Sequence, residues 1–334
     1  MLSICIKNNQ IILQKQEPMP TAGEKEALLA VQVAGICGTD VALLRGYYDF
    51  SGTPGHEFVA KVVKSADPSW MGKRVTADIN ICCGHCTECL RDNPHHCLQR
   101  SVIGIKNKNG AFAQYLNVPL ANLLSIPETV NDDQAVFIEP IAAALEILEQ
   151  VEISKTDRLL VIGAGKLGQL AARVLTTTGA TVLVIARHIS QQQCLERAGI
   201  AWIRETELAD LDAFDLVVEA TGSPQGLTLA RQAVRPRGTI ILKSTYPPGK
   251  SIQFDFSSLV VDEIRLIGSR CGPYQKAIDW LAEGKIDPLP LIAARYSLAQ
   301  APQAFAKARE SGVMKVLLDI SASTNQKKHP KAPE

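Results

Sequence analysis

The sequence predicts an α/β protein with two unlike parts, a β-rich first part and a doubly wound parallel sheet. Three observations carry that expectation. Residues 1–120 hold short alternating or β-branched runs punctuated by Gly, Pro and Asn. After residue 158, strand-like runs alternate with helical ones, and parallel neighbours need such crossovers. The length, 334 residues, is enough for two domains with sizeable cores.

Taken in order, Met1-Leu2-Ser3-Ile4-Cys5-Ile6-Lys7 has neither a basic leader nor a long apolar core and reads as a first strand, not a signal peptide. Strands are expected over 27–33, 58–63 and 111–118. From about residue 134 the apolar spacing turns helical, with Ala135, Val136, Ile138, Ala142, Leu145, Ile147 and Leu148 at three- and four-residue intervals. Strands then follow over 158–162, 181–185, 216–218, 239–243 and 264–267, with a helix over 167–177. The last stretch predicts helices over 274–283 and 298–310 and a strand over 313–320. Residues 321–334 are polar, end in Lys-Lys-His-Pro-Lys-Ala-Pro-Glu, and are expected to be a disordered tail.

Composition narrows the class of partner. Thirty-five Lys and Arg against 34 Asp and Glu leave a charge of +1, with no basic excess to attract nucleic acid. No apolar run reaches the roughly 18–20 residues that a membrane-spanning helix needs. A cytoplasmic chain acting on a small molecule is expected.

Leu159-Leu160-Val161-Ile162-Gly163-Ala164-Gly165-Lys166-Leu167-Gly168 is a buried-type strand entering G-x-G-x-x-G and then an apolar helix. Gly163 permits the tight turn, Gly165 lets a pyrophosphate approach the backbone, and Gly168 lets helix and strand pack closely. Gly163, Gly165, Lys166, Leu167 and Gly168 are therefore expected to bind a dinucleotide. About 20 residues on, where an acid would hold the NAD ribose, the chain has Ala186-Arg187. Arg187 suits a 2′-phosphate, which favours NADP(H) over NAD(H). Read without that role, it is an ordinary solvated arginine.

Cys83, Cys86, Cys89 and Cys97 form C-x2-C-x2-C-x7-C, a pattern for four thiolates around a closed structural zinc. Cys82 is an extra thiol beside the first ligand, His85 lies within the loop, and His95 and His96 are expected to be solvated. A second constellation is dispersed over Gly35-Ile36-Cys37-Gly38-Thr39-Asp40, Gly55-His56-Glu57-Phe58 and Phe137-Ile138-Glu139-Pro140. One thiolate, one imidazole and one carboxylate would leave a fourth position open, as in catalytic zinc sites. Spacing alone does not bring them together, and singly His56 is compatible with a structural histidine and Cys37 with a buried thiol.

Taken in order along residues 1–320, these motifs, with Ala220-Thr221-Gly222-Ser223, resemble the zinc-dependent medium-chain dehydrogenase/reductase superfamily of alcohol, sorbitol and threonine dehydrogenases. The resemblance implies a GroES-like catalytic domain from residues 1–143 and 272–320 with a Rossmann domain, 144–271, inserted between them. It implies two zinc ions per chain, a homo-oligomer (dimer or tetramer), and hydride transfer between NAD(P) and an alcohol, polyol, aldehyde or ketone. Cys37 and His56 become catalytic zinc ligands, Glu139 the third and Glu57 the competing carboxylate. Asp40 would orient the zinc histidine, and Thr39 would bond the substrate oxygen. Thr221, Gly222, Ser223, Ser269 and Arg270 would line the nicotinamide end. Ala42 stands where many relatives carry a proton-relay histidine, so the relay must run elsewhere. Alternatives are a non-catalytic nucleotide-binding sensor and a zinc-free quinone reductase on the same fold; the intact ligand set disfavours both.

Overall fold

The computed structural model describes residues 1–246 and 254–321, so all but the first residue of the expected tail lies outside the described residues. The first part of the chain contains β1 (Ser3–Lys7), β2 (Gln10–Gln14), β3 (Glu26–Ile36), β4 (Glu57–Ser65), β5 (Arg74–Ala77), β6 (Asn80–Ile81), β7 (Ser101–Val102), β8 (Tyr115–Pro119) and β9 (Leu123–Ser125). Short helices α1 (Gly38–Leu43) and α2 (Thr87–Leu90) interrupt them, and α3 (Asp132–Ala135) and α4 (Ile138–Gln150) follow.

β3 is buried along nearly its whole length because both of its faces are covered. Leu29, Val31, Ala34 and Ile36 enter one core, while Val33 packs with Val59 and the apolar face of α4 in another. The strand expected over 111–118 begins only at Tyr115. Residues before it spend their backbone donors elsewhere, Ala111 on the Gly55 carbonyl at 2.8 Å and Phe112 on that of Pro54 at 3.0 Å, which fixes the turn before His56. The helix expected from about 134 is two helices. Pro140 has no N–H and is tolerated only in a first turn, so α4 must restart at Ile138.

Next come β10 (Arg158–Ile162), α5 (Lys166–Thr176), β11 (Thr181–Ile185), α6 (Ile189–Arg197), β12 (Ala201–Ile203), β13 (Phe214–Glu219), α7 (Pro224–Ala233), β14 (Val234–Leu242), α8 (Phe256–Val261) and β15 (Arg265–Gly268). The six strands form one parallel sheet ordered β12-β11-β10-β13-β14-β15. The order reverses between β10 and β13, and a crevice at the strand ends of such a switch point is where this fold takes ligands. The chain closes with α9 (Tyr274–Ala282), β16 (Ile292–Ser297), α10 (Ala301–Ala308) and β17 (Lys315–Asp319).

β17 returns to pair antiparallel with β3, and β16 lies outside it, so the mixed sheet β16-β17-β3-β4-β5-β9, with β8 also on β3, draws on both chain ends. Gly35 has Glu57 opposite it on one side and Leu317 on the other. That register brings Lys315, far away in sequence, beneath Glu57. Among the described residues no helix is long and apolar enough to cross a membrane.

Candidate active site

The end of β3, the first turn of α1 and the start of β4 bring Cys37, His56 and Glu57 together, with their ligand atoms all within 4.8 Å of one another. Asp40 organises the group. One carboxylate oxygen accepts from the Cys37 amide at 2.8 Å, and the other accepts from the Gly55 amide at 3.2 Å and faces His56 Nδ1 at 3.4 Å. The last contact lacks good hydrogen-bond alignment and is best described as electrostatic. It leaves Nε2 as the nitrogen for a metal. Burial pushes the His56 imidazole down, but the Asp40 carboxylate and the Cys37 sulfur reverse this and hold it well above the usual range. Thr39 Oγ1 lies 3.8 Å from the Cys37 sulfur.

The two candidate carboxylates differ in what holds them. Glu57 is ion-paired with Lys315, both 1% exposed, and the Lys315 ammonium stands 5.4 Å over the Phe137 ring. Gly35 makes room: a Cβ there would lie 2.6 Å from Glu57 Oε2 and 3.2 Å from Lys315 Cδ. Glu139, in the first turn of α4, falls outside the three-donor group, although the charges of His56, Glu57, Lys315 and Lys243 act on it. Burial pushes its carboxyl up to about 7, with Glu57 adding to the rise. Glu57 is thus nearer the donors but committed to a lysine, whereas Glu139 is farther and has no ion pair among the described residues.

The four expected thiols also meet. Sulfur separations of 3.5, 3.6, 3.8 and 4.0 Å among Cys83, Cys86, Cys89 and Cys97 bracket the edge of a tetrahedron, about 3.8 Å for zinc–sulfur bonds of about 2.3 Å. Amides of Cys89 and Leu98 bond the Cys86 sulfur and pull that thiol down to about 6. Cys82 is exposed and outside the group. His85 Nδ1 lies 2.9 Å from the Cys83 carbonyl. His96 is exposed as expected, but His95 is not a solvated loop residue: Asp78 Oδ2 holds its Nε2 at 2.8 Å.

At the switch point, the Ala220 amide donates to the Ile162 carbonyl at 2.9 Å, beside the glycine turn. Gly163 has φ +101°, and a Cβ at Gly168 would stand 1.8 Å from the Gly163 carbonyl oxygen, so helix and turn touch. Gly165, at the N-cap of α5, has open space where a Cβ would be, as a pyrophosphate at a helix N-terminus requires. Leu167 is half-buried against the core. Lys166 reaches the other sheet, its Nζ donating to the Ile36 carbonyl at 3.3 Å. The glycine turn and Cys37 are therefore one lysine side chain apart. Arg187 pairs with Glu205 at 2.6 Å, both partners exposed.

Sequence reasoning missed several residues that shape the crevice. Buried Glu219, at the end of β13, accepts from the Thr221 amide at 2.7 Å, from the Thr221 hydroxyl, from the Gly222 amide at 3.3 Å and from Tyr246 OH at 2.8 Å. Thr221 Oγ1 also lies 2.8 Å from the Ser223 hydroxyl. Lys243 donates to the Ser269 hydroxyl at 3.0 Å, and Arg270 bonds Asn80 Oδ1 at 3.1 Å. A charged residue closing an apolar strand, as Glu219 closes β13 and Lys243 follows β14, was the only signal available.

Comparison with known proteins agrees with this architecture. Residues 23–128 match the family model "Alcohol dehydrogenase GroES-like domain", and residues 132–320 match "Glucose dehydrogenase C-terminus". The starvation-sensing protein RspB of Escherichia coli K12 is 31% identical over 87% of this chain and 91% of its own. The sorbitol dehydrogenase of Halalkalibacterium halodurans is 27% identical over 91% and 94%. Among solved structures, an E. coli CFT073 alcohol dehydrogenase (rspB) complexed with NADH superposes with TM-score 0.88 at 28% identity, covering 96% of this chain and 99% of that one. A Sinorhizobium meliloti 1021 zinc-binding dehydrogenase bound to NADP gives 0.88 at 27% identity with the same coverage. The chain belongs to the zinc-dependent medium-chain dehydrogenase/reductase superfamily.

Proposed function

We propose that this chain is a zinc-dependent oxidoreductase that transfers hydride between NADP(H) and an alcohol or polyol, or the matching aldehyde or ketone. The observation that carries the reading is the reach of Lys166 from the glycine turn to the Ile36 carbonyl beside Cys37, because it sets a metal-donor group against a dinucleotide turn. The division we propose is a catalytic domain of residues 1–143 and 272–320 and a dinucleotide domain of 144–271.

Cys37, His56 and Glu139 would hold the catalytic zinc, with Glu57 as the exchanging carboxylate, and Cys83, Cys86, Cys89 and Cys97 the structural one. Bound zinc would supply Lewis acidity and the bound dinucleotide the hydride donor or acceptor. The chain does the rest. Asp40 holds His56 through Nδ1, and Lys315 holds Glu57. Thr39 Oγ1, near the Cys37 sulfur, accepts the substrate hydroxyl proton and passes it to water or the cofactor ribose, since Ala42 offers no relay. Gly163, Gly165 and Gly168 seat the pyrophosphate, and Thr221, Ser269 and Arg270 line the nicotinamide end. Arg187 exchanges Glu205 for the 2′-phosphate of NADP; an exposed ion pair is worth only about 0–1 kcal/mol, so it yields easily.

A homo-oligomer, dimer or tetramer, is supported by the sheet edge, where among the described residues β15 has no outer neighbour and Leu266, Phe256, Val260 and Val261 stand exposed beside it. The function is tested by screening alcohols and polyols with NADP, following NADPH formation before and after the zinc is stripped with a chelator. Turnover that vanishes with zinc and returns on its addition is expected. Turnover indifferent to zinc would overturn the reading.

A further inference from the structure

The turn Ser269-Arg270-Cys271 that follows β15 is held from two sides. From within, the Lys243 ammonium donates to the Ser269 hydroxyl at 3.0 Å, the Arg270 carbonyl at 3.2 Å and the Ala143 carbonyl at 2.5 Å. From outside, the Arg270 guanidinium donates to Asn80 Oδ1 at 3.1 Å and to the His95 carbonyl at 2.8 Å. The Asn80 amide nitrogen donates in turn to the Cys271 sulfur at 3.4 Å.

Asn80 is a firm anchor. It is 4% exposed, its backbone and side-chain N–H groups bond Asp78 Oδ1 at 2.8 and 3.0 Å, and Asn122 Nδ2 bonds its carbonyl at 2.9 Å. Asp78 also holds His95, so the segments that carry Asn80 and His95 are joined to each other. Those two segments are the entry to the four-cysteine lobe, three residues before Cys83, and its exit, two residues before Cys97. Both roots of the lobe therefore meet the turn through one terminal nitrogen, Nη2, of the Arg270 guanidinium.

We infer that the four-cysteine lobe clasps the dinucleotide half of the molecule through Arg270, and that Asn80 is a positioning residue that sets the turn at the nicotinamide end. The inference rests on the dinucleotide site of the proposed function. Both acceptors of Arg270 are neutral, so the clasp is insensitive to salt, unlike a surface ion pair.

The test is fluorescence titration of the zinc-loaded full chain with NADPH and with ADP-ribose, which has the adenosine and pyrophosphate but no nicotinamide. Asn80→Ala is expected to raise the Kd for NADPH about tenfold, the worth of one hydrogen bond to a charged group, at low and high salt alike. ADP-ribose should bind wild type and variant equally, and zinc per chain should be unchanged. In an Arg270→Ala background, Asn80→Ala should add less than a factor of about two, because the shared contact is already gone. Should Asn80→Ala not fold, Asn80→Ser, which also removes the Oδ1 acceptor, carries the same expectation. Unchanged NADPH binding, equal weakening of ADP-ribose, or effects that simply multiply would overturn the inference. Wild-type protein that binds neither NADPH nor NADH would instead overturn the dinucleotide reading, and the inference with it.

Discussion

Replacing Lys315 with methionine should cost the folded protein about 3–5 kcal/mol, because it strands a buried carboxylate. The substitution nearly preserves side-chain length, so little packing is lost. What is lost is the one cation paired with Glu57 among the described residues, at a site where both side chains are 1% exposed and water cannot take its place. The ammonium over the Phe137 ring goes as well, a further loss of about 0.5–2 kcal/mol that falls partly within the same figure. Urea unfolding in a Cys37→Ser background, which keeps the four-cysteine zinc but not a metal beside Glu57, measures the loss. Adding Glu57→Gln to Lys315→Met should recover most of it, since a neutral amide tolerates that site far better than a lone charge. A single-variant loss under about 1 kcal/mol, or a double variant that loses the sum of the two singles, would refute the claim that this pair neutralises itself in isolation from solvent.

Arg187→Ala should raise the Kd for NADPH about tenfold or more while changing that for NADH less than about twofold, as read by fluorescence titration; equal losses would remove the case for NADP. Gly35→Ala should cost about 1–3 kcal/mol in the same urea assay, because its Cβ would stand 2.6 Å from a Glu57 oxygen that Lys315 holds in place. Glu139 has its carboxyl raised to about 7 in the metal-free protein, so folding favours its protonated form, and the stability it adds is complete below about 4.5 and lost as pH rises through about 7. Zinc uptake at pH 6 should therefore release a proton from Glu139, measurable by calorimetry in buffers of differing ionisation heat and absent in Glu139→Gln.

What the sequence made legible was local. The glycine turn, its flanking strand and helix, and the four-cysteine loop are each written within 20 residues, and their geometry follows from the residues themselves. Pro140 forces the restart of α4 for an equally local reason, though the helical spacing on either side of it hid the break. What was not legible depends on register between distant strands. Lys315 meets Glu57 across 258 residues only because β17 pairs with β3, and Asn80 meets Arg270 across 190. Spacing could nominate Cys37, His56, Glu57 and Glu139 but not rank the two carboxylates, since the rank turns on which one a lysine neutralises. His95 looked solvated because nothing near it in sequence announces that Asp78 will face it.

Zinc per chain tests the account most directly, measured by elemental analysis of wild type and Cys37→Ser purified without chelator. The account predicts about two zinc ions in the wild type, one in each group of donors, and about one in the variant. About one in both would mean that Cys37, His56 and the nearby carboxylates hold no metal, and it would contradict the proposed chemistry.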